Sequence, residues 1–189
     1  MRSFTLAIVL AVLIATIAGG SAAHAATAPP GGANQRASLE GCMNQWLFNG
    51  VWRMRVTGFE PVDDFGTKGI GVKVEARNGT TKTLALGTSG VDGQGQGVDL
   101  VTTDGDAMTL DASGFQTSLG YKQVVQGGAA KAELHFHFQN PADAAAGKKP
   151  GKLIVQFNQK SVQVPGVKYT TKTPSLRFNL TCDKAAKPS

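Results

Sequence analysis

Large apolar and polar side chains alternate through residues 52–57, with Trp52, Met54 and Val56 on one side and Arg53, Arg55 and Thr57 on the other. A period of two is that of a strand with one buried face. The pattern returns at Ile70, Val72, Val74 and Ala76, interleaved with Gly71, Lys73, Glu75 and Arg77. It is clearest over residues 131–139, where Ala132, Leu134, Phe136 and Phe138 oppose Glu133, His135, His137 and Gln139. Further strands are expected at residues 98–103, 107–111, 153–157, 161–164 and 176–182, with a shorter piece at 121–125. Asn78-Gly79 reads as a hairpin turn leading into a strand at 81–86, and Asp104-Gly105 as another. Helical periodicity is missing from the chain after its first 25 residues, except that residues 38–48 allow one short turn with Ser38 as N-cap. Eight or nine short strands with glycine-rich turns predict an all-β fold, a two-sheet antiparallel sandwich, with an eight-stranded closed barrel as the competing shape.

The N-terminus carries Met1-Arg2, an apolar run over residues 6–17 and the small-x-small site Ala23-His24-Ala25. These are the parts of a secretory signal peptide, residues 1–25. The run is short of the roughly 20 residues that span a bilayer, and no second one follows, so no membrane span is expected. Residues 26–38, with Pro29-Pro30-Gly31-Gly32, read as a flexible leader, 39–182 as the folded domain and 183–189 as a tail. A secreted or periplasmic address is oxidising, so Cys42 and Cys182 are expected to form one disulfide between the first and last ordered segments. Closing so long a loop removes about 5 kcal/mol of unfolded-state entropy in the chain-entropy picture.

Composition narrows the class. The 189 residues are 41% hydrophobic and 17% charged with 24 glycines, enough apolar content for one core, which excludes collagen, coiled coil and wholesale disorder. The formal charge of +6 is spread along the chain, with Arg53/Arg55 and Lys148-Lys149 the only local pairs. No basic stripe suited to a nucleic acid results; weak attraction to anionic cell-surface polymers is compatible with that charge.

The segment Gly71-Val72-Lys73-Val74-Glu75-Ala76-Arg77-Asn78-Gly79-Thr80 resembles the V-x-V-x-x-x-N-x-[ST] strand and turn of immunoglobulin-like domains in bacterial secreted proteins and lipoproteins, a group that includes a secreted mycobacterial antigen. Residues 127–138, from Gly127-Gly128 to Phe138, resemble that group's strand after a glycine turn, and 152–157 the strand that follows. The resemblance implies an immunoglobulin-like sandwich with no catalytic residues to carry over. The Cys42/Cys182 pair and the glycine-rich stretch 87–97 depart from its pattern.

Candidate chemistry is sparse. His135 and His137 lie two apart on one strand, so both imidazoles project from one face, with Glu133 beside them. Such a pair suits copper(II), nickel(II) or zinc, although a closed zinc site takes about four ligands; the plainer account is a wetted outer face. Ser-His-Asp hydrolysis lacks a G-x-S-x-G elbow, since Gly87-Thr88-Ser89-Gly90 is misspaced. Asp63-Asp64, Asp99, Asp104, Asp106 and Asp111 offer paired acids for glycosidase work or oxygens for calcium, but each also suits a turn. Residues 87–97 lack the helix and lysine of a phosphate loop and read as a mobile loop. Asn78-Gly79-Thr80 and Asn179-Leu180-Thr181 match N-glycosylation acceptors. Trp46, Phe48 and Trp52 form an aromatic cluster near Cys42, either core or a partner surface. The expectation is a secreted, non-enzymatic interaction or structural module meeting a protein or a cell-surface polymer, with no cofactor. The alternatives are a periplasmic copper- or zinc-binding protein using His135 and His137 and, more weakly, a carbohydrate-active enzyme.

Overall fold

The computed structural model describes residues 38–183. They form nine strands: β1 (Leu39–Met43), β2 (Leu47–Phe48), β3 (Trp52–Asp64), β4 (Thr67–Asn78), β5 (Val98–Thr102), β6 (Ala107–Leu110), β7 (Ala129–His137), β8 (Pro150–Val155) and β9 (Leu176–Asp183). Two short α-helices, α1 (Ala112–Phe115) and α2 (Pro141–Ala145), and three single helical turns of other pitch interrupt them. The segments expected to be a signal peptide, a leader and a tail lie outside the described residues, apart from Ser38 and Asp183.

Alternation sorts the side chains as the pattern requires. Trp52, Met54 and Val56 of β3 pack with Ile70, Val72, Val74 and Ala76 of β4 and Leu134 and Phe136 of β7. The same core takes in Leu100 of β5, Leu153 and Val155 of β8, and Leu176, Phe178 and Leu180 of β9. Burying side chains of this size is worth about 1.5–3 kcal/mol each, which makes this face the main source of stability.

The sheet departs from two separate antiparallel layers. Hydrogen bonding runs unbroken in the order β1-β9-β8-β5-β6-β7-β4-β3-β2. β6 links the halves, pairing with β5 at Leu100↔Met108 and Val101↔Ala107 and with β7 at Thr109↔His137 and Leu110↔Phe136. β1 and β9 run parallel. Antiparallel pairing follows from short hairpins, and no hairpin joins these two strands from opposite ends of the chain. The Cys42–Cys182 disulfide, across a sequence separation of 140, and the Arg177–Glu40 ion pair at 2.6 Å hold the pair instead. At the far edge Asn44 N donates to Val56 O at 2.8 Å, so the sheet nearly closes on itself.

Several expected elements resolve differently. Residues 38–48 hold β1 and β2 in place of a helical turn, because β9 and β3 offer their backbones as partners. Residues 81–86 do not return along β4, and their pairing is a single bridge, Leu84↔Val124, which also replaces the strand at 121–125. The cause is Asn78, which is buried: its side chain donates to Lys82 O and Val124 O and accepts from Thr80, turning the chain away. β4 pairs instead with β3 through the two-residue turn Phe65-Gly66, where Phe65 stands fully exposed at φ 54°. Residues 161–164 contribute one bridge, Ser89↔Val162.

Candidate functional site

The outer face of β3, β4 and β7 brings the histidines to Asp64, a pairing that their spacing did not show. Asp64 closes β3, and its Oδ2 lies 2.9 Å from His135 Nδ1 and 2.7 Å from His137 Nε2. The two imidazoles reach across β4 because the intervening residues opposite them are Gly71 and Gly69. A Cβ at Gly69 would lie 2.3 Å from Phe136 O, and one at Gly71 would lie 2.2 Å from Glu133 Oε1. Hydrogen bonds from His137 and then His135 hold the Asp64 carboxyl below its usual range. Among the described residues no set of three His, Cys, Asp or Glu side chains is arranged to enclose a metal ion. Beside them Lys73 pairs with Glu60 at 2.6 Å, which lowers that carboxyl.

The aromatic cluster divides. Trp52 is wholly buried, whereas Phe48 is 43% exposed under Arg53, 5.3 Å from its ring centre. Trp46 is half-buried beneath the guanidinium groups of Arg55 and Arg77, at 4.5 and 4.9 Å. Both arginines are clamped by the buried Glu75, at 2.8 Å each. Burial alone would raise Glu75, but the hydrogen bonds from Arg55 and Arg77 outweigh it and hold the carboxyl low.

The aspartates are separately engaged. Asp63 accepts from Gly66 N and pairs with Lys68. Asp106 pairs with Lys148 at 2.5 Å, Asp111 caps α1 through Ser113 N and Gly114 N, and Asp99 accepts from Gln156 at 3.1 Å. Asp104 stands in the β5–β6 turn and receives a long 3.4 Å bond from Thr103. Asn78, buried with its amide fully used, is closed to glycosylation, while Asn179 is exposed.

The glycine-rich stretch is the largest surprise. Residues 87–97 are pinned to the strand and loop after them: Gln156 N donates to Gly97 O, Asn158 N to Gly90 O and Gln163 N to Thr88 O, at 2.8–2.9 Å. Tyr169 adds a hydroxyl bond to Ser89 O. Gly90, Gly95 and Gly97 stand at φ 114°, 87° and 82°, a conformation that side chains resist, so glycine here serves a fixed wall and not a mobile loop. This wall and residues 156–163 enclose an open cleft of about 960 Å³. Its lining is mostly polar, with Gln94, Gln96, Gln156, Asn158 and Gln163 contributing amides. Tyr121 stands in it 54% exposed, its ring packed directly on Gly87 and Gly93. Sequence reasoning missed Tyr121 and the amides because they come from three separated segments; the spacing Gln94-Gly95-Gln96 was the available signal.

No family model and no curated protein matches the chain. Among solved structures, an uncharacterized β-sandwich protein from Clostridium difficile 630 aligns with 8% identity and a TM-score of 0.46, covering 79% of this chain and 98% of that one. Among the described residues no helix is long and apolar enough to cross a membrane.

Proposed function

We propose that this domain is a non-enzymatic extracellular binding module whose ligand seats in the cleft between residues 87–97 and 156–163. One observation carries the reading: the cleft is preformed, its wall fastened by backbone hydrogen bonds, and its volume is in the range that ligand sites occupy, about 300–1,000 Å³. The disulfide is compatible with an oxidising, extracellular compartment. We also read the fold as a variant of the immunoglobulin-like sandwich, a reading supported by the two resembling segments pairing as β4 and β7.

Two other readings draw on particular groups. Copper or zinc binding would use His135 and His137, whose ring nitrogens are both hydrogen-bonded to Asp64 Oδ2. Carbohydrate cleavage would use Asp92 and Asp99 in the cleft. Affinity electrophoresis in gels carrying soluble neutral and anionic polysaccharides, with an assay for new reducing ends, separates them. Retardation without cleavage is the expected result. Cleavage abolished by Asp99→Asn would make the protein an enzyme, and stoichiometric zinc or copper in equilibrium dialysis, lost in His137→Ala, would move the site to the β3–β7 face.

A further inference from the structure

Building on the cleft as the binding site, we infer that its ligand is a neutral glycan that stacks a sugar ring on Tyr121. The charge distribution argues first. Asp92, Asp99 and Lys160 are the charged residues lining the cleft, so it holds more acid than base although the whole chain carries +6. The positive charge lies elsewhere, notably at Arg55 and Arg77 over Trp46 and Arg53 over Phe48. A sulfated, phosphorylated or uronic-acid polymer would therefore meet repulsion here.

Hydrogen-bonding chemistry argues second. Gln94, Gln96 and Gln163 make no side-chain hydrogen bond among the described residues. A free carboxamide offers two donors and an acceptor, which matches hydroxyl groups that both give and accept. Three such amides along one cleft suit a polyhydroxylated chain better than a peptide, which would look for apolar pockets.

The aromatic ring argues third. Val91 and Phe157 of the lining are buried, so Tyr121 is the aromatic surface open to a ligand. Its placement depends on glycine: a Cβ at Gly93 would stand 2.4 Å from Tyr121 Oη and 2.5 Å from Cζ. The C–H face of a sugar is apolar and faintly positive, and the ring face it would cover is electron-rich. A rigid ring costs little ordering entropy on binding.

Calorimetric titration with cellohexaose, mannohexaose and chitohexaose, with heparin as the anionic probe, tests this. At least one neutral hexasaccharide should bind the wild type. Tyr121→Ala should weaken it at least tenfold, Tyr121→Phe less than twofold, and Gly93→Ala, which keeps the tyrosine but displaces it, should weaken it as Tyr121→Ala does. Near-UV circular dichroism confirms that each variant keeps its packing. Hexasaccharide affinity that ignores Tyr121→Ala and Gly93→Ala would overturn the stacking on Tyr121, and binding confined to heparin and lost in Gln156→Ala would overturn the neutral ligand; either would leave the binding module standing. No binding by any of the four probes would overturn both.

Discussion

Trp52 Nε1 donates a 2.7 Å hydrogen bond to Ser89 Oγ, and both residues are fully buried. The bond ties β3 to the glycine-rich wall of the cleft, and Ser89 Oγ in turn donates a hydrogen bond to Ala85 O at 2.6 Å. Ser89→Ala leaves a buried indole N–H without a partner, at a cost of about 1–3 kcal/mol. Urea unfolding followed by tryptophan fluorescence should show that loss, and an unchanged midpoint would mean that core and wall are not coupled in this way.

The two glycines under the histidines should respond differently to alanine. At Gly69 the new methyl meets the backbone oxygen of Phe136, which cannot move without breaking the β4–β7 ladder. At Gly71 it meets the far end of the Glu133 side chain, which can swing, and Val62 Cγ1 at 2.9 Å. Overpacking typically costs about 1–3 kcal/mol, so Gly69→Ala is expected at or above the top of that range and Gly71→Ala near the bottom. Thermal unfolding of both variants checks the order; equal losses would contradict it.

Acid should dissolve the Asp64 arrangement. The folded-state pKa of Asp64 is depressed by His137 and His135, so its contribution is present above the unfolded value of about 4 and disappears as pH falls through the lower folded value. Glu75, held low by Arg55 and Arg77, behaves in the same sense. Melting temperatures measured from pH 6 to 2 should show Asp64→Asn below wild type above pH ~4, with the two curves converging toward pH ~2. A constant gap across that range would contradict the account.

How far the sequence carried this structure depends on where pairing was local. The alternations at residues 52–56, 70–76 and 131–138 marked the core faces, since the large apolar side chains of each strand lie on one side, although on β4 the outer-face Gly69, Gly71 and Glu75 are buried as well. The second half of β3 escaped notice because no residue in 57–64 is buried, so no alternation marks it. Its omission hid the β3–β4 hairpin, whose Phe65-Gly66 turn lacks the usual Asn-Gly or Asp-Gly signal, and with it the approach of Asp64 to the histidines. The same-face placement of His135 and His137 was legible from strand period alone. The cleft was not, because its wall, its amides and Tyr121 meet only through long-range backbone bonds such as Asn158 to Gly90.

The disulfide bears on β1 in particular. β1 is held to β9 by a parallel ladder of five residue pairs, by the Arg177–Glu40 ion pair and by the covalent Cys42–Cys182 bond. Replacing both cysteines by serine should lower stability by up to about 5 kcal/mol. Hydrogen exchange should rise first at Glu40 to Met43; uniform loosening of all nine strands would show that β1 is not a separate unit.

Backbone chemical-shift mapping during titration with a neutral hexasaccharide that binds tests the central claim most directly. The account predicts perturbations concentrated at Gly93 to Gly97, Tyr121 and Gln156 to Gln163, with the β3–β7 outer face silent. Shifts centred on His135, His137 and Asp64, or on the Trp46–Arg77 face, would contradict it.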